Sequence, residues 1–124
     1  MLLCRRVDER QGAYTLHRVG NLFRLREIPG RLPSFVVFLQ VTNGVGDYEL
    51  SVELLDLASG ETNSIGNVGR ATLPDRLTLG SIMIAVPPLP VENAAKHDLI
   101  VLANGEEVDR RELHVEPLER AVEE

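Results

Sequence analysis

Tryptophan is absent from this chain, and only two tyrosines and three phenylalanines are present. That leaves few flat rings on which a sugar or a nucleobase could stack. The single cysteine, Cys4, excludes an intrachain disulfide framework and any multi-cysteine zinc site. Lysine is nearly missing too, since Lys96 stands beside twelve arginines. Thirteen basic against 19 acidic residues leave a net charge of −6, which argues against a nucleic-acid partner. No uncharged run is longer than that over residues 77–91, which holds Pro87, Pro88 and Pro90 and falls short of the ~20 apolar residues of a membrane span. Met1-Leu2-Leu3-Cys4-Arg5-Arg6 reaches charge after a few apolar residues, so no signal-peptide core is expected. The expectation is a cytoplasmic protein with one reduced thiol and no membrane partner.

What is present is an ordinary globular composition in 124 residues, 44% hydrophobic and 26% charged. That length fits a single domain over 1–124 with a real core. Charge is split along it. Residues 1–31 carry seven arginines against Asp8, Glu9 and Glu27, whereas the rest is strongly acidic. Such asymmetry marks either an interaction surface or basic strands laid beside acidic ones.

Period-two alternation recurs almost throughout. Tyr48, Leu50, Val52 and Leu54 share one strand face, with Glu49, Ser51 and Glu53 on the other. Phe35–Val41, Leu99–Ala103 and Ser81–Val86 are apolar on both faces, as in central strands. Weaker strands are expected over Leu2–Val7, Tyr14–Val19, Leu22–Glu27, Val68–Leu73 and Val108–Val115. Asn104-Gly105 predicts a two-residue hairpin turn, because a type I′ turn needs positive φ at both central positions. Reversals are also expected at Arg10-Gln11-Gly12, at 43–47 and at Ala58-Ser59-Gly60-Glu61. Helical periodicity is missing outside the acidic tail 116–124, where a short helical turn or a frayed end is expected. Eight or nine short strands separated by turns indicate an all-β, antiparallel sandwich.

The opening Leu2-Leu3-Cys4, then Tyr14-Thr15-Leu16, Val19-Gly20-Asn21-Leu22-Phe23 and Pro33-Ser34-Phe35, resembles an uncharacterised bacterial family of stand-alone domains. The long hairpin over Phe35–Leu57 and the final Asn-Gly hairpin over Leu99–Val115 fit the same pattern. The resemblance implies an immunoglobulin-like β-sandwich and carries no catalytic residues with it.

His17, His97 and His114 supply no converging ligand set and read as partly exposed strand histidines. His97 and Asp98, as strand neighbours, face opposite ways. Ser34, Ser51, Ser59, Ser64 and Ser81 lack a nucleophile-elbow setting. Cys4 reads as a small buried hydrophobe. Asp47, Asp56, Asp75, Asp98 and Asp109 read as turn residues rather than as a calcium site. No catalytic residue, metal or cofactor is therefore expected.

One constellation remains. In Leu22-Phe23-Arg24-Leu25-Arg26, alternation sends Phe23 and Leu25 one way and Arg24 and Arg26 the other, with Arg18 on the preceding segment. Arginines so displayed bind carboxylates or phosphates through forked hydrogen bonds. The expectation is a non-catalytic protein-interaction or scaffolding module whose partner surface is Arg18, Arg24 and Arg26. A homodimer is expected, with basic N-terminal and acidic C-terminal segments in contact between subunits. The alternative is a small-ligand or metal-binding β-sandwich, or an enzyme whose site forms only at an oligomer interface.

Overall fold

Alternating side chains need two covered faces or one wet face, and both solutions occur in this protein. A computed structural model describes residues 1–41, 45–73 and 80–118, the Asn67 side chain excepted. Among the described residues the chain forms twelve strands and no helix. They are β1 (Leu2–Cys4), β2 (Arg6–Arg10), β3 (Ala13–His17), β4 (Leu22–Leu25), β5 (Gly30–Leu32) and β6 (Phe35–Val41). Then follow β7 (Gly46–Asp56), β8 (Thr62–Leu73), β9 (Gly80–Val86), β10 (Leu89–Val91), β11 (Lys96–Ala103) and β12 (Glu106–Pro117). Among the described residues, no helix is long and apolar enough to cross a membrane.

Two larger sheets carry the structure. One has three strands in the order β1-β6-β9, and the other has five in the order β4-β12-β11-β7-β8. The pairs β5–β10 and β2–β3 complete the set. Every pairing is antiparallel except β4 against β12, which is parallel. The expected eight or nine strands become twelve for two reasons. The first expected strand is divided at Arg5, and β5 and β10 are three-residue strands too short to show a period. The 43–44 part of one expected reversal, and the tail beyond Leu118, lie outside the described residues; Glu116 and Pro117 end β12.

The inner faces of the sheets meet in one core. Leu3, Val37 and Ile84 come from the three-stranded sheet, and Val52, Leu99 and Leu113 from the five-stranded sheet. Leu32, Leu89 and Val91 of the β5–β10 pair join the same cluster. The strands that are apolar on both faces have coverings. Phe38, on the outer side of β6, meets the Tyr14 ring of the β2–β3 hairpin at a centroid distance of 5.1 Å. Ile100, on the outer side of β11, has Arg110 and Glu53 as cross-strand neighbours, long side chains whose stems can shield it.

Turn chemistry sets the registers. Asn104 and Gly105 have φ of 50° and 84°, the positive pair of a type I′ turn. Asn104 also ties the turn to β7, because its Oδ1 accepts from Glu49 N at 2.9 Å and its own N–H donates to Glu49 O at 2.8 Å.

Candidate functional site

The arginine-bearing strand β4 is an edge of the five-stranded sheet. It is pinned at its start, where Asn21 Nδ2 donates to Glu112 O at 3.0 Å and Asn21 O accepts from His114 N at 2.8 Å. Phe23 and Leu25 are buried, and Leu22, Arg24 and Arg26 are exposed, as alternation requires. Arg18 is exposed and sits with φ of 56°, a left-handed conformation that costs a residue with a Cβ.

A cleft of about 470 Å³ opens between this edge and the end of β1. Arg5, Arg18 and Arg24 line it, and its apolar part includes Cys4, Leu22, Phe23 and Phe35. No acidic residue is among its lining residues. Two of the three expected arginines are thus brought together; Arg26 lies past the end of β4 and outside the cleft. Arg5 was not singled out in the sequence, though its place directly after the buried Cys4 was the available signal. Burial pushes the Cys4 thiol up from its ordinary value, which keeps it protonated.

Part of the charge asymmetry is absorbed within one chain. Arg24 Nε lies 3.7 Å from Glu116 Oε1, and the Met1 amino group lies 3.3 Å from Asp109 Oδ2. The basic and acidic contact expected between subunits thus has an intramolecular counterpart where β4 runs beside β12. On the outer face of the five-stranded sheet, Arg110 bonds Asp98 Oδ2 at 2.9 Å and Glu107 Oε1 at 2.8 Å. The Arg110 bonds hold the Glu107 carboxyl below the usual carboxylate range.

The histidines divide differently from expectation. His17 and His114 are partly exposed, beside Asp8 and Glu112 at 2.7 and 2.8 Å. His97 is instead only 2% exposed. The reason is that β11 begins at Lys96, which puts position 97 on the inward face with Leu99 and Val101. Asp98 does face the other way, toward Arg110.

His97 Nδ1 donates to Ala95 O at 3.0 Å, and Nε2 lies 3.8 Å from Oδ2 of Asp56, itself only 6% exposed. Asp56 continues the inward row of Leu50, Val52 and Leu54. It accepts from Asn93 Nδ2 at 2.7 Å and from the Ala58 and Ser59 amides at 2.8 and 3.2 Å. The Asn93 bond leads the influences that hold its carboxyl below the usual range, ahead of the opposing effect of burial. Two of the bonds that Asp56 accepts come from the Ala58 and Ser59 amides, so the cluster organises the 57–60 turn.

The other aspartates are scattered. Asp47 accepts from the Thr72 hydroxyl at 2.7 Å, and Asp109 meets the amino terminus; Asp75 lies outside the described residues. Among the described residues, no three His, Cys, Asp or Glu side chains gather to hold a metal ion. A second groove, of about 310 Å³, is mainly apolar and is lined by Leu39, Val41, Tyr48, Leu50, Ile82 and Val108 among others. Comparison with known proteins adds no assignment: no family model, curated protein or solved structure matches the chain.

Proposed function

We propose that this chain is a non-catalytic, cytoplasmic protein-interaction module built as an immunoglobulin-like sandwich. Strand order supports the architecture. The sheet β12-β11-β7-β8 runs as the G-F-C-C′ strands of a variable-type domain would, and β1-β6-β9 as A-B-E. The observation that carries the function is the cleft ringed by Arg5, Arg18 and Arg24 with no acid in its lining. Guanidinium groups on an open sheet edge recognise carboxylate-bearing surfaces through paired hydrogen bonds. Self-association belongs to the same reading, since two-fold closure pairs like edges and removes them from solvent.

Affinity capture from native extract tests this reading, with an Arg18→Glu/Arg24→Glu variant as control. A partner retained by the wild type and lost by the folded variant supports it. Capture indifferent to both substitutions removes the arginines from the interface. A small-ligand reading is favoured by one observation, the apolar groove beside Tyr48. Saturable, stoichiometric binding of an apolar fluorescent dye there, blocked by a substitution at the exposed groove residue Val108, Val108→Arg, would favour it.

A further inference from the structure

The backbone at the cleft carries information that the arginines alone do not. In a parallel ladder each residue turns both its N–H and its C=O either toward the neighbouring strand or away from it. Asn21 O accepts from His114 N, and Leu25 O accepts from Leu118 N at 2.8 Å. Positions 21, 23 and 25 therefore face β12. Leu22 and Arg24 turn their amide and carbonyl groups the other way, toward the cleft that both residues line. Neither makes a backbone hydrogen bond there to another described residue. Across the cleft, the corresponding edge of β1 is already engaged, with Leu3 O accepting from Gly20 N at 3.0 Å and Arg5 N donating to His17 O at 2.8 Å. The open slot thus belongs to β4.

We propose that the cleft binds an acidic, extended segment of a partner protein as an added strand on β4, its backbone paired to Leu22 and Arg24 and its carboxylates held by Arg5, Arg18 and Arg24. This rests on the interaction reading above and gives it a mode. Main-chain bonds supply register and alternate side chains supply selectivity, as in other strand-addition complexes. Charge sets the occupant, because three guanidinium groups and no acid line the slot. The acidic strand of this chain, β12, is paired to β11 along one edge and to β4 only over His114–Pro117, so a second copy is the competing occupant. Peptide binding by a chain that sediments as a monomer supports a partner segment, whereas a dimer that the acidic peptide dissociates overturns it.

The experiment is fluorescence anisotropy of the full chain with the labelled peptide acetyl-Glu-Val-Glu-Val-Glu-Val-amide. Its controls are a Lys-for-Glu version and two versions N-methylated at alternate backbone amides. Strand addition predicts that the acidic peptide binds, that the lysine peptide does not, and that one N-methylated set alone weakens binding by about tenfold per blocked bond. Acidic-peptide binding equally indifferent to both sets overturns strand addition and leaves the arginine surface standing. Arginine-dependent capture of a partner together with no acidic-peptide binding also overturns the added strand while sparing the interaction reading. Arg18→Glu/Arg24→Glu should abolish binding while the chain still melts cooperatively, at a somewhat lower temperature because the Arg24–Glu116 pair is lost. Peptide binding that survives in this variant overturns the assignment of the site.

Discussion

Asn93 Nδ2 donates to Asp56 Oδ2 at 2.7 Å, and that one bond joins the segment after β10 to the buried end of β7. Because it favours the charged carboxylate, the folded Asp56 titrates below its unfolded counterpart. Its stabilisation is therefore complete above the ordinary carboxylate range and is lost as pH falls through the lowered folded value. Melting temperature should fall below about pH 4. Asp56→Asn should cost about 1.5–3 kcal/mol at pH 7, the value of hydrogen bonds to a charged group, and should flatten the acid limb. Thermal melts from pH 7 to pH 3 check this; parallel acid limbs would exclude Asp56 as a contributor.

Val37 has no solvent exposure and stands in the middle of the core-facing row of β6. Val37→Asp places an unpaired carboxylate there at a cost of several kcal/mol, comparable to the whole stability of a small domain. Loss of the cooperative melt is expected by circular dichroism, and a transition like the wild type would show the strand to be solvated.

Asn104→Ala removes both the Glu49 amide's acceptor and the residue best suited to φ of 50°. A loss of about 1–2 kcal/mol is expected in urea unfolding. Gly105→Val should cost more, because a β-branched side chain at φ of 84° is sterically strained. If both variants unfold at the wild-type midpoint, the turn does not set the β11–β12 register.

Arg18 offers a separation of stability from binding. Arg18→Gly relieves the left-handed backbone, whereas Arg18→Ala keeps it, so the glycine variant should be about 1 kcal/mol more stable than the alanine variant. Both lose the same charge and should weaken acidic-peptide binding alike. Equal stability of the two would mean that the Arg18 backbone rearranges.

Sedimentation at several salt concentrations addresses self-association. A dimer held by exposed charges should weaken as salt rises, since screening acts within about 8–10 Å. A monomer at every concentration removes self-association from the proposal.

The sequence was most legible where one physical rule decides the outcome. Phe35–Val41 occurs as β6 with the expected bounds, and Asn104-Gly105 makes the expected turn. Arg24 faces out and Phe23 in, as period two dictates. Burial of His97 was hidden because the apolar run begins only at Leu99, while the strand starts at Lys96. Asp56 was hidden for a related reason: its partner Asn93 is 37 residues away, and no local pattern announces a hydrogen bond of that span. The cleft is likewise a product of topology, because Arg5 and Arg24 meet only after the two sheets are assembled.

The parallel pairing of β4 with β12 also orders events in time. Asn21 and Glu112 bond across 91 residues of chain. During synthesis from the N-terminus, β4 therefore emerges long before the strand that will hold it. Until β12 leaves the ribosome, both edges of β4 stay open and its arginines lack Glu116. Such late, non-local closure slows folding, and it makes β12 the strand that turns β4 from a sticky nascent segment into a finished, one-sided edge.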